Sequence, residues 1–87
     1  MTNIKTSCGF EAEIDEEAIS DITFLEDLEL LEEGNPVGII KMVRHIMTEE
    51  DKNRLYSLLK NEKGRVPTEL VEQQVSEILE QLGSKKA

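Results

Sequence analysis

The sequence predicts a mostly α-helical fold in which a short N-terminal β-hairpin is followed by a bundle of about four short helices. Three observations support this prediction. Residues 4–14 alternate between apolar and polar side chains, later segments repeat apolar side chains at helical spacing, and Gly or Pro separates the segments. We expect one small domain over residues 1–83, with the hairpin at about 3–14, and a flexible tail over residues 84–87.

The alternation in residues 4–14 has the two-residue period of a β-strand. Ser7-Cys8-Gly9 is a plausible turn within it, because Gly9 can adopt a positive φ. The apolar side must pack on the helices, since two strands alone are only marginally stable in water. That side carries Ile4, Thr6, Cys8, Phe10, Ala12 and Ile14.

The acidic segment after the hairpin predicts helix 1. Asp15 can cap its first turn, and the helix runs to about Glu33 with a break near Ser20-Asp21. Gly34-Asn35-Pro36 then predicts a helix end and an immediate new start, with Asn as the N-cap and Pro in the first turn. The apolar side chains that share one face of helix 1 are Phe24, Leu25, Leu28 and Leu31.

Helix 2 covers residues 36–47 and is rich in apolar side chains. At about 100° per residue these side chains sweep about 220°, roughly twice the arc that one buried face requires. Either helix 2 lies at the centre of the bundle, or it keeps apolar surface for a partner. Gly38 in its first turn has two explanations, a close approach of another backbone or simple tolerance of Gly near a helix start.

Capping residues and apolar stripes predict helices 3 and 4. Thr48 caps helix 3, which has three acidic residues in its first turn and ends near Asn61. Pro67 and Thr68 start helix 4, and Gly83 ends it. The inward stripes are Leu55, Leu58 and Leu59 on helix 3, and Val71, Val75, Ile78, Leu79 and Leu82 on helix 4.

The net charge is strongly and unevenly negative. Nineteen acidic and ten basic residues give −9, which argues against binding of nucleic acid or an anionic membrane by charge attraction. Residues 11–33 hold eleven acidic residues and no base, whereas residues 36–66 hold seven bases and four acids. A solvated surface that keeps a small protein soluble explains this pattern, and so does an acidic surface that meets a basic partner.

The reactive and metal-binding side chains form no recognisable catalytic or cofactor pattern. His45 and Cys8, the single residues of their types, cannot make a four-ligand structural zinc site, and no glycine-rich phosphate loop is present. No apolar run approaches the ~18 residues of a membrane helix. We therefore expect no catalytic residue, no metal and no cofactor, and no nucleic-acid or membrane partner, in a protein of a reducing intracellular compartment.

The apolar surplus of helix 2 supplies the candidate binding residues. Its two methionines suit adaptable contact with an apolar partner helix, although filling gaps in the core explains them too. The small core also makes a homo-oligomer compatible with the sequence. We expect partner or self-association surfaces to include Ile39, Ile40, Met42, Val43 and Met47.

Three stretches of the chain suggest a family. They read TSCGFEAEID over residues 6–15, EEDKNRLY over 49–56 and NEKGRVPTE over 61–69. In order and spacing, over nearly the whole chain, they resemble the small tail assembly chaperones of long-tailed phages and prophages of Gram-positive bacteria. The Gly-Arg-Val-Pro connection is the most recognisable part, and none of the three stretches is a catalytic signature.

The resemblance implies a non-enzymatic assembly protein of the host bacterial cytoplasm that is absent from the mature virion. It implies two partners: the long, helix-rich tape measure protein, which the chaperone keeps soluble, and the tail-tube protein, whose subunits it helps recruit. Two other interpretations stay open. One is an acidic DNA mimic that inhibits a host DNA-binding enzyme, and the other is a head–tail structural adaptor.

Overall fold

The computed structural model describes residues 1–83, so the tail expected over residues 84–87 lies outside the described residues. A two-stranded antiparallel hairpin precedes a short 3-10 helix and four α-helices, which confirms the mostly helical fold with an N-terminal hairpin. The elements are β1 (Thr2–Lys5), β2 (Glu11–Ile14), the 3-10 helix (Glu16–Ser20), α1 (Ile22–Glu32), α2 (Val37–Ile46), α3 (Glu49–Leu59) and α4 (Thr68–Gln81).

The hairpin follows the predicted alternation. Ile4 pairs with Ala12 across the two strands. The connecting turn is closed by the Thr6 N–H, which donates to the Phe10 carbonyl at 2.9 Å, while Gly9 has a φ of +92°. The side predicted to face the helices is buried or, at Cys8, half-buried, because it forms one wall of the core.

Helix α4 covers the outer edge of β1 and the start of the turn. The Gln81 side-chain amide donates to the Lys5 carbonyl at 2.7 Å and accepts from the Lys5 N–H at 3.1 Å. The Glu77 carboxylate accepts from the Ser7 N–H at 2.8 Å and from the Ser7 hydroxyl at 2.6 Å. Side chains of a helix thus satisfy backbone groups that an edge strand would otherwise leave open.

The break expected near Ser20-Asp21 separates the 3-10 helix from α1. The Asp15 side chain accepts from the Glu17 N–H at 3.0 Å, and the Asp21 side chain accepts from the Thr23 N–H at 2.8 Å. Asp21 has extended backbone angles, with ψ at 134°. Two capped helices therefore replace a continuous one, because each capping aspartate satisfies backbone donors of its own first turn.

The connection between α1 and α2 has the geometry that Gly34-Asn35-Pro36 predicts. The Gly34 N–H donates to the Leu31 carbonyl at 2.9 Å and the Asn35 N–H to the Leu30 carbonyl at 3.0 Å, with Gly34 at a φ of +88°. The Asn35 side chain then accepts from the Val37 N–H at 3.0 Å. The two helices consequently pack closely as an antiparallel pair, and Gly38 is buried against the backbone of α1.

Helix α3 begins as predicted and ends earlier than expected. The Thr48 hydroxyl accepts from the Asp51 N–H at 3.1 Å. The helix ends at Leu59, because the Asn61 side chain accepts from the Lys63 and Arg65 N–H groups and organises a separate loop. Leu58, expected on the inward face, is 49% exposed, since the buried side of α3 is the narrower stripe of Leu55 and Leu59.

The core connects the hairpin with all four α-helices, and α2 lies among the others. Helix α2 packs against α1, α3 and α4 and against the 3-10 helix. The largest fully buried side chains are Phe10, Ile4, Ile14, Met42, Leu55, Ile78, Val43 and Val75. Of the two interpretations of its apolar circumference, a central position therefore explains most of it.

Candidate binding surface

The residues expected to bind a partner lie mostly inside the protomer. Ile39, Met42, Val43 and Met47 are buried in the core, and only Ile40, at 42% exposed, reaches the surface. The expectation of an exposed apolar ridge on α2 is therefore corrected. The physical reason is the central position of the helix. Neighbouring elements cover most of the apolar arc of about 220°, including the part that exceeds one buried face.

Large apolar side chains reach the surface at other places. Within residues 1–83 the most exposed are Met1, Ile22, Leu25, Val37, Ile40, Leu58 and Leu70. Single exposed apolar side chains are common on proteins, so only neighbouring ones indicate a site. Ile22 and Leu25 are such neighbours, because both line the same depression on α1.

We call this depression the α1 groove. It has a volume of about 300 Å³ and is lined by Ile22, Leu25, Glu26, Leu28, Glu29 and Glu32. Ile22 is 67% exposed and Leu25 is 47% exposed, while Leu28 is half-buried and packs on the core. The groove therefore offers apolar side chains in the first turns of α1 and carboxylates in the last turns.

Gly38 determines which side of α1 faces outward. The position of a Cβ on Gly38 is next to backbone atoms of Asp27 and Leu31, so this side of α1 lies against α2. Ile22 is nine residues before Leu31, which places it on the opposite side of the helix, about 180° away. The close helix pair thus turns Ile22 and Leu25 away from α2.

The carboxylates of the α1 groove have no basic partner within the chain described. Within residues 1–83, none of Glu26, Glu29 and Glu32 forms an ion pair. Helix α1 has no basic residue in its last turn, where the helix dipole is already negative. The C-terminal half of the groove is consequently a concentrated negative surface.

Two bases of the middle segment, Lys52 and Arg54, have partners away from this surface. Lys52 pairs with Glu49 at 2.7 Å and Arg54 with Asp51 at 2.7 Å, both within α3. Arg54 also donates to the Glu11 carbonyl at 2.9 Å. These two cations are therefore held on α3 and the hairpin, away from the carboxylates of the α1 groove.

A second, smaller depression lies between α2, α3 and the start of α4. Its volume is about 190 Å³, and Ile39, Ile40, Tyr56, Val66, Thr68 and Val71 line it. Its walls are mostly apolar, with hydroxyl groups from Tyr56 and Thr68, and carry no acidic residue. Ile39 and Ile40, two of the predicted binding residues, line it.

His45 and Cys8 have local structural partners. The His45 Nε2 lies 3.5 Å from the Asp21 carboxylate, and the His45 ring is 5.8 Å from the Phe24 ring. The Cys8 Sγ lies 3.6 Å from the Thr6 hydroxyl in the hairpin turn. In residues 1–83 no three His, Cys, Asp or Glu side chains cluster so that they could hold a metal ion.

Hydrogen bonds lower the pKa of three exposed carboxyl groups. The Thr23 N–H and then the Thr23 hydroxyl hold the pKa of Asp21 below its ordinary value, and His45 adds to this effect. The Thr2 hydroxyl lowers the pKa of Glu16, and Lys52 lowers the pKa of Glu49. Each lowered pKa has a capping, strand-end or same-helix partner, so these shifts report local structure.

Sequence reasoning missed Ile22 and misplaced Leu25. Helix α1 has apolar side chains around much of its circumference, which is the same signal that drew attention to α2. The difference between the two helices is their position, because α2 is central and α1 has a free side.

No helix within residues 1–83 has the length and apolar character needed to cross a membrane.

The α1 groove thus combines exposed apolar side chains with carboxylates that form no ion pair within residues 1–83. Compared with protein-family models, with curated proteins and with solved structures, the chain gave no match.

Proposed function

We propose that this chain is a non-enzymatic tail assembly chaperone that binds a long, helix-rich client, the tape measure protein of a long-tailed phage or prophage. The observation that supports this proposal is the α1 groove, where exposed apolar side chains lie beside carboxylates that have no internal partner within residues 1–83. The resemblance of residues 6–15, 49–56 and 61–69 to the chaperone family supplies the identity of the client.

Such a chaperone needs both an exposed apolar surface and a strong negative charge. An elongated client exposes apolar helix faces before the tail tube surrounds it, and those faces aggregate unless they are covered. A covering protein of net charge −9 makes coated clients repel one another and so keeps them dissolved. In this proposal the chain acts in the host cytoplasm, helps recruit tail-tube subunits and leaves before the virion is complete.

Co-expression tests the proposal. The chain is produced together with the tape measure protein of the same genome, and the soluble fraction of the client is measured with and without the chain. We expect the client to be recovered in solution only in the presence of the chain and to co-purify with it. A client that is equally insoluble in both cultures contradicts the proposal. Detection of the chain in purified virions would favour the head–tail adaptor instead.

An acidic DNA mimic is the second candidate, and the base-free run over residues 11–33 favours it. A mimic binds a basic surface almost entirely through charge, so its complex dissociates as salt rises from low to high concentration. A complex that also buries Ile22 and Leu25 keeps an apolar contribution that salt does not screen. Persistence of the client complex at about 0.5 M salt, where screening is nearly complete, therefore supports the chaperone over the mimic.

A further inference from the structure

We infer that the α1 groove binds a basic amphipathic helix, whose apolar side chains cover Ile22 and Leu25 and whose Lys or Arg side chains meet Glu29 and Glu32. The inference rests on the proposed function, because it names the part of the client that this surface recognises. It commits to one occupant, a helical segment with an apolar stripe and a net positive charge.

The apolar half of the groove has the spacing of a helix-binding site. Ile22 and Leu25 are three residues apart, so they project from neighbouring turns of the same side of α1, and Leu28 continues the apolar lining. An amphipathic helix presents anchors at three- and four-residue spacing and can lie along such a row. The open shape of the groove fits a helix laid on the surface, since its walls come from α1 alone.

The acidic half determines the charge of the occupant. Glu29 and Glu32 are exposed, and α1 has no basic residue in its last turn. Carboxylates at a helix C-terminus are unfavourable because the negative end of the helix dipole repels them. A cation placed there reduces the repulsion between the carboxylates and interacts favourably with the negative end of the helix dipole. This surface therefore attracts Lys or Arg of a partner more strongly than an isolated surface glutamate does.

A second copy of the chain is a poor occupant of the same groove. A two-fold symmetric contact places two copies of the same surface together, and that surface is lined by Glu26, Glu29 and Glu32 and by no base, so neither copy supplies a cation to the other. Like charges brought together in this way oppose association. The charge of the groove therefore favours a different molecule with a basic helix.

A direct binding measurement tests the inference. The probe is a fluorescein-labelled synthetic helix of about 20 residues, with Leu along one stripe and Lys on both flanks. A second probe replaces every Lys by Glu and keeps the stripe. Fluorescence anisotropy is measured as the intact chain is added to each. We expect the basic helix to bind and the acidic helix not to bind.

Matched variants of equal chemistry locate the binding site. Leu25→Asp places a carboxylate in the groove, and Leu58→Asp makes the same change on α3, where the leucine is 49% exposed against 47% for Leu25. We expect Leu25→Asp to weaken binding of the basic helix at least tenfold, and Leu58→Asp to change it less than about twofold. Equal losses in the two variants, or none in either, overturn the inference.

A second pair of variants tests the negative charge of the α1 groove and leaves Ile22 and Leu25 unchanged. Glu29→Gln combined with Glu32→Gln removes two charges from the groove, and Glu62→Gln combined with Glu80→Gln removes two exposed charges elsewhere. The first pair also removes carboxylates from a helix C-terminus, so it should fold at least as well as the parent. We expect only the first pair to weaken binding by about fivefold or more at low salt and to flatten the salt dependence.

Client recovery separates this inference from the proposed function. If the parent and Leu25→Asp both keep the tape measure protein in solution, the proposed function stands and the groove assignment is overturned. If the parent fails to keep the client in solution while the basic helix still binds in the groove, the proposed client is overturned and the recognition of a basic helix is supported. If the parent self-associates and Leu25→Asp abolishes this, the groove is an interface between copies and the inference is overturned.

Discussion

A Cβ atom added to Gly38 would lie 2.6 Å from the backbone nitrogen of Leu31, so α1 and α2 touch where one of them has no side chain. The carbonyl oxygen of Asp27 is 2.8 Å from the same position. Backbone atoms cannot move aside as a flexible side chain can, and the helix pair must separate if the Cβ is added. This contact orients α1 and thereby exposes the α1 groove.

Gly38→Ala should destabilise the protein despite the better helix propensity of alanine. Alanine gains up to ~1 kcal/mol over glycine within a helix, but forcing apart a packed contact costs about 1–3 kcal/mol or more. After this gain is subtracted, we expect the free energy of unfolding in urea to fall by about 1–2 kcal/mol. Lys41→Ala, at an exposed position of the same helix, is the control. A Gly38→Ala protein as stable as the parent would show that the helices do not touch here.

The paired amide of Gln81 should be essential for holding the hairpin edge on α4. Gln81→Glu keeps an acceptor for the Lys5 N–H but places a carboxylate against the Lys5 carbonyl, where the amide donated at 2.7 Å. We expect a loss of about 1–2 kcal/mol in unfolding free energy and faster hydrogen exchange at Lys5. Gln73→Glu makes the same change on an exposed face of α4 and should leave both measurements unchanged.

The Thr48 cap of α3 should contribute to stability, and the start of α4, which lacks a side-chain cap, provides a comparison within the same protein. The Thr48 hydroxyl accepts from the Asp51 N–H, whereas the N-terminus of α4 has no side-chain cap bond. Thr48→Ala should therefore lower the unfolding free energy by about 1 kcal/mol, and Thr68→Ala, at the first residue of α4, by much less. Chemical denaturation of the two variants measures this difference, and equal losses would contradict the capping role.

The Asp21 carboxyl should titrate below its ordinary pKa of 3.8 in the folded protein. Because the folded pKa is the lower one, the hydrogen-bonded carboxylate stabilises the fold above pH 3.8, and this contribution is lost as the pH falls through the folded pKa. Carbon-detected NMR titration of the parent, of Thr23→Val and of His45→Gln measures the effect.

We expect Thr23→Val to raise the pKa of Asp21 only part of the way, since the Thr23 N–H, the larger cause, remains. His45→Gln should raise this pKa less than Thr23→Val does. A pKa of Asp21 at or above its ordinary value in the parent would contradict the N-cap at α1.

The hairpin and the helix boundaries could be predicted because the signals that set them are local. Residues 4–14 alternate with period two and are buried on one side, so the pattern and the packing agree. Asp15 and Thr48, the two predicted caps, accept from backbone groups two and three residues away, a distance over which local sequence determines the geometry. Helix α3 ends at Leu59, two residues before the predicted end, because the Asn61 side chain stabilises the following loop.

The binding surface could not be located from sequence, because it depends on which helix lies at the centre. The apolar arc of α2 gave no sign whether neighbouring helices cover it, and they cover Met42 and Val43 completely. Gly38 left two explanations open, a close approach and simple tolerance near a helix start, and only the folded chain shows that it meets the backbone of Asp27 and Leu31. That contact turns Ile22 outward. The apolar pattern of α1 does not show which side of the helix faces α2, so the exposure of Ile22 could not be predicted from it.

Mapping of the binding site by NMR tests the central claim most directly. The ¹⁵N-labelled chain is titrated with the basic amphipathic helix, and amide shifts are followed residue by residue. The account predicts that the largest changes lie along α1, around Ile22, Leu25 and Glu29, while amides near Leu58 and Leu70 stay in place. Changes centred on α3 or α4, or a spectrum that does not change at a saturating excess of the helix, would contradict it.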